Sequence, residues 1–104
     1  PTAMSKPVRT TPSADAHVLA LDQWWRENRE KAPDLAEELA MAVRTIGAMP
    51  AGGRSYPHPG ARVRRVLLRA TRTHVYYVER DDHVLVVAVW GAIRGVGPDL
   101  TGLG

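Results

Sequence analysis

Apolar residues along this chain follow two different periods. From Ala14 to Ile46 they recur every three or four positions, and from Val63 to Trp90 they alternate or run on without a break. The first spacing belongs to helices with one buried stripe, the second to strands. Ala14, Val18, Leu21 and Trp25 stand four, three and four apart, which predicts a helix ending near Arg29. Thr11 or Ser13 can cap it, and Pro12 fits its first turn, where the missing N–H needs no partner. Pro33 opens a second helix with the stripe Leu35, Leu39, Val43 and Ile46, broken off by Gly47 and Pro50. Asp34, Glu37 and Glu38 sit near its positive end and Arg44 toward its negative end, as the helix dipole favours. Together the two predict an antiparallel helical hairpin.

Val8 to Thr11 reads as a brief first strand stopped by Pro12. Ala51 to Gly60 contains Gly52-Gly53 and Pro57-His58-Pro59-Gly60 and reads as a loop. Three strands follow, Val63 to Arg69, Thr73 to Arg80 and Val84 to Trp90, the last two joined across the polar turn Asp81-Asp82. The third is apolar throughout, which predicts a central strand covered on both faces. The class is therefore α+β in the order β-α-α-β-β-β: a short N-terminal strand and a helical hairpin packed on an antiparallel sheet of three to four strands. One domain spanning 1–104 is expected. Pro1-Thr2-Ala3, ahead of Met4, reads as an appended remnant and takes no part in the fold reasoning.

Size and composition narrow the functional classes. A chain of 104 residues has room for one core and not for a second catalytic domain. With 44% hydrophobic and 24% charged residues the balance is that of a globular chain. The absence of cysteine excludes a disulfide framework, a thiolate metal site and a cysteine nucleophile, and fits the reducing cytoplasm. The longest apolar run, Val84 to Ile93, has ten residues, whereas a bilayer span takes about 20. No apolar stretch follows basic residues at the N-terminus, so neither a membrane helix nor a secretory signal is expected. His17, His58 and His83 fall on three different elements, so neither metal nor cofactor is expected.

Charge is unevenly placed. Residues 1–50 carry one net negative charge and residues 51–104 four net positive ones. Arg54, Arg62, Arg64, Arg65, Arg69 and Arg72 follow one another with no acidic residue between them. The planar guanidinium fork suits carboxylate and phosphate, so an acidic partner is implied. On a strand from Val63 to Arg69, alternation puts Val63, Arg65, Leu67 and Arg69 on one side and Arg64, Val66 and Leu68 on the other. On the next strand His74, Tyr76 and Val78 share one side and Thr73, Val75, Tyr77 and Glu79 the other. Trp24 and Trp25 project about 100° apart on a helix, so Trp25 is expected in the core and Trp24 at its margin or beneath a partner. Trp90 reads as core.

The stretch Val63 to Arg94, taken with the upstream helices, resembles the RelE/ParE superfamily of bacterial type II toxins. The resemblance rests on the order and spacing of Pro57, Pro59, Gly60 and Arg62, the strand Arg65-Val66-Leu67-Leu68, the run Thr73-His74-Val75-Tyr76-Tyr77, and Val89-Trp90 followed by Arg94. It covers most of the chain and implies a toxin neutralised by a cognate antitoxin with an acidic C-terminal segment, the two forming a hetero-oligomer. RelE-like members resemble ribosome-dependent ribonucleases, and ParE-like members poison DNA gyrase without intrinsic catalysis. Arg69 and Arg94 fall where the nucleases carry basic residues. The lysines those nucleases place before the first meander strand are missing, although Arg62 and Arg64 could supply charge. Gly91 stands where a His frequently follows the strand-ending Trp, and no Tyr or His follows His83. The ParE-like reading is therefore preferred, with Arg62, Arg64, Arg65, Arg69, Arg72, Trp24 and Arg94 as target- or antitoxin-binding residues. The alternative, an mRNA interferase acting in the ribosome, would use Arg69, Arg94 and His74. A relative that only binds its antitoxin would carry the same substitutions.

Overall fold

The computed structural model describes residues 5–28, 34–92 and 97–102. Strand β1 (Val8–Thr10) leads into helix α1 (Pro12–Asn28), followed by helix α2 (Leu35–Ala48) and a single 3-10 turn at Pro50–Gly52. Four strands complete the order, β2 (Arg54–Tyr56), β3 (Val63–Leu68), β4 (Thr73–Glu79) and β5 (Val84–Gly91). The five strands form one sheet in the order β1-β5-β4-β3-β2. β1 runs parallel to β5, and the other neighbours are antiparallel. The fold is α+β, with the helices against one face of this mixed sheet.

Local chemistry explains the helix starts. Of the two candidate caps, Thr11 is used: its Oγ1 accepts the Ala14 N–H at 3.1 Å. The Thr11 N–H also donates to the Val86 carbonyl at 3.0 Å, so one residue both ends the β1–β5 pairing and begins α1. Asp34 caps α2, accepting the Glu37 N–H at 3.0 Å. The expected opening residue Pro33 and the end of α1 at Arg29 lie outside the described residues.

Each face of the sheet has its own apolar cluster. On the helix side Ala14, Leu35 and Ile46 meet Val75, Tyr77, Val84, Val86 and Val89, with Val18, Leu21, Leu39 and Ala42 packed around them. On the other side Val63, Tyr76, Val78, Val87 and Ala88 are covered by Leu100 from the C-terminal segment. The alternation predicted for β4 is therefore observed, with both sides buried. β5 is likewise covered on both faces, but the middle strand is β4, because β1 takes one side of β5 and a further strand, β2, extends the other edge.

Several boundaries differ from the sequence reading: β1 stops at Thr10, β4 stops at Glu79 and β5 runs on to Gly91, and three further differences have a physical reason. α2 continues through Gly47 to Ala48, because Gly47 is where the N-terminal segment crosses the helix. The Lys6 N–H donates to the Gly47 carbonyl at 2.9 Å, and a Cβ on Gly47 would lie 2.8 Å from the Lys6 carbonyl oxygen. The segment 51–60 is not all loop, since Arg54, Ser55 and Tyr56 pair with Arg65, Arg64 and Val63. Long-range pairing thus overrides the local preference of the flanking Gly and Pro residues. β3 ends at Leu68 instead of Arg69, because the turn to β4 begins there.

Candidate functional site

The arginines expected to act together occupy separate settings. Arg65 lies on the helix-free face, in register with Arg54 on β2 and Tyr76 on β4. Its guanidinium sits 5.1 Å from the centre of the Tyr56 ring and 5.9 Å from that of Tyr76, and donates to the Tyr76 hydroxyl at 3.2 Å. The two tyrosine rings meet edge to face at 4.9 Å. Arg65 is thus held by cation–π contacts and a hydrogen bond. His74 completes this cluster, its ring 6.0 Å from Tyr76. Burial first, and then the positive charge of Arg65, hold its imidazole below the ordinary 6.5.

Arg64 points the other way, as strand alternation requires, and donates to the Gly53 carbonyl at 2.9 Å. Arg62 is exposed just ahead of β3. Arg69 lies beyond the end of β3, lining a shallow groove with Met41 and Thr45 of α2. It does not extend the Arg65 face, because the strand has already stopped. Arg94 is outside the described residues.

Arg72 belongs to a different feature, a cleft of 520 Å³ between the second half of α1 and the paired ends of β4 and β5. Trp24, Trp25 and Trp90 line it together with His17, Thr71 and Arg72. Trp25 is buried, as expected, while Trp24 is 47% exposed at the margin. Trp90 is half-buried and forms a wall of the cleft, its ring edge-on to His17 at 5.0 Å. The reading of Trp90 as plain core is corrected in this respect: β1 is too short to flank this end of β5, so α1 covers the strand edge instead. There the His17 Nδ1 accepts the Val89 N–H at 3.2 Å.

Arg72 has a positive φ of 54°, a region that residues with a Cβ seldom enter. The turn that imposes it is fixed from two sides. Glu38 of α2 accepts hydrogen bonds from Ala70 N, Thr71 N and Thr71 Oγ1, and the Arg72 carbonyl accepts the Ala92 N–H at 2.7 Å.

Sequence reasoning missed Arg54 and Tyr56 as neighbours of Arg65, because the strand carrying them is framed by Gly and Pro. It also missed the joining of Trp90 and His17 to the tryptophan pair. The described residues hold no group of three or more His, Asp or Glu side chains placed to bind a metal ion. Nor does any described helix have the length and apolar character to cross a membrane. No family model matches the chain, and no curated protein matches it.

Proposed function

We propose that this chain is a ParE-like toxin that inhibits DNA gyrase through protein contacts and is neutralised by an antitoxin with an acidic C-terminal segment. The observation that carries the reading is the arrangement around Arg65. A helical pair backs one side of the sheet, and the other side presents a guanidinium fixed between Tyr56 and Tyr76, on a residue in register with Arg54 of β2. A cation held in this way is suited to a carboxylate-bearing partner and gives up little conformational freedom on binding. The resemblance of the sequence supplies the family, and Gly91 in place of the frequent His favours gyrase over mRNA as the target.

Purified protein assayed on gyrase supercoiling and on ribosome-programmed mRNA tests the reading. Stabilised DNA breaks with intact mRNA are expected. Codon-positioned cuts with gyrase unaffected would instead establish the mRNA interferase, and neither effect would leave a protein that only binds its antitoxin. Arg94→Ala is expected to abolish growth arrest in cells while leaving the purified fold unchanged.

A further inference from the structure

We propose that the cleft between α1 and the ends of β4 and β5 is a binding site for a small, flat aromatic molecule carrying one negative charge. The proposal stands on the cleft alone and is independent of the toxin reading. A volume of 520 Å³ falls within the roughly 300–1,000 Å³ typical of small-molecule sites. The ring planes of Trp24 and Trp25 are 88° apart with centres 5.1 Å from each other, and Trp90 meets His17 at 70°. Trp24, 47% exposed, can offer a planar ligand a ring face to stack on, with a neighbouring ring at its edge, the two arrangements aromatic pairs favour.

Charge selects the sign of the ligand. Arg72 is the one residue of fixed charge among the described lining residues, none of which is acidic. Glu38, the carboxylate at this turn, is taken up by the backbone of Ala70 and Thr71 and by the Thr71 hydroxyl. Among the described residues no ion pair joins Arg72 to an acidic side chain. Its backbone conformation sharpens the point. At φ 54° a glycine would sit without strain, yet an arginine is held there by hydrogen bonds on both sides of the turn, at the mouth of an aromatic cleft. An anion meeting that exposed guanidinium gains a charge-assisted hydrogen bond that a neutral ring cannot make.

The test uses the full chain labelled with nitrogen-15, and reads the side-chain N–H signals of Trp24, Trp25 and Trp90 during titration. The probes are 2-naphthoate, the neutral 2-naphthalenemethanol and the cationic 2-naphthylmethylammonium. Saturable shifts of the indole signals are expected, with naphthoate binding about tenfold or more tightly than the alcohol and the ammonium compound weakest. Arg72→Gly, which relieves the backbone strain, is expected to melt no lower than the parent and to bind naphthoate and the alcohol alike. Arg72→Lys is expected to keep most of the preference for the anion. Shifts that never saturate, equal binding of acid and alcohol by the parent, or an undiminished preference in Arg72→Gly would each overturn the proposal.

Discussion

The carboxylate of Glu38 on α2 is hydrogen-bonded to both the backbone and the side chain of Thr71, at 3.2 Å to its N–H and 2.7 Å to its hydroxyl. A third bond, at 2.8 Å, comes from the Ala70 N–H. Thr71 is buried, so removing its acceptor leaves polar groups dry. Glu38→Ala should destabilise the fold by about 2–3 kcal/mol, the range for hydrogen bonds to a charged group together with a buried donor left unmet. Glu38→Gln, which keeps one acceptor, should cost less. Urea unfolding measures both, and amide exchange at Ala70 and Thr71 should accelerate more than exchange in β5. Equal stability of Glu38→Ala and the parent would show that the turn holds itself.

Tyr77 and Gly53 form the second long-range clamp. The buried Tyr77 hydroxyl accepts the Gly53 N–H at 2.9 Å and donates to the Pro50 carbonyl at 2.6 Å. Burial raises its pKa above the ordinary 10.0, so it remains a donor at neutral pH. A Cβ on Gly53 would lie 2.3 Å from that hydroxyl, closer than any real contact allows. Gly53→Ala should therefore displace the start of β2, and Tyr77→Phe should cost about 2 kcal/mol through the two lost bonds. Both changes break the same contact, so the double variant should be less destabilised than the sum of the singles. Strict additivity in a double-mutant cycle would disprove the coupling.

These two clamps also explain what could and could not be read along the chain. The helices were legible because their stripes are local: Leu35 and Ile46 are buried where the spacing puts them, although α2 begins at Leu35 with Asp34 as its cap and not at Pro33. The opposite orientations of Arg64 and Arg65 followed from strand alternation. β2 was hidden because nothing within Arg54–Tyr56 distinguishes it from a loop. It becomes a strand through pairing with β3 and through a hydroxyl on β4 that pins Gly53. The cleft was hidden for the same reason, since Trp24, Trp25 and Trp90 meet only once α1 lies along the end of β5. The left-handed backbone of Arg72 had no local signal, because the Glu38 carboxylate and the Ala92 N–H that fix its turn are distant in sequence.

The adjacent tryptophans offer a contrast within one helix turn. Trp25 is 9% exposed and Trp24 is 47% exposed, although their rings touch edge to face. Trp25→Ala should cost about 3–5 kcal/mol, as large-to-small core changes do. Trp24→Ala should cost under about 1 kcal/mol in the isolated chain, like most substitutions at exposed sites. If Trp24 belongs to a docking surface, its replacement should instead appear as weakened partner or ligand binding. Similar melting temperatures for the two variants would contradict the burial difference.

His74 supplies the pH dependence. Its imidazole faces Arg65 and Tyr76, and its register partners are Leu67 on β3 and Trp90 on β5. Burial is the larger cause and Arg65 the smaller, and both hold its folded-state pKa below the ordinary 6.5. In the interval between the lowered value and 6.5 the unfolded chain binds more protons than the folded one, so stability rises with pH. The neutral state costs nothing above 6.5; as pH falls through the interval stability is lost, and it levels off once the folded state also protonates. Asp82 and Asp99 are held below 3.8 by hydrogen bonds from His83 and Thr101 respectively, and their contributions disappear only in more acidic solution. Urea midpoints measured between pH 8 and pH 5 should therefore fall further for the parent than for His74→Gln, which has no proton to take up at this position. Parallel curves for the two proteins would mean that the Arg65 face does not disfavour a charged imidazole.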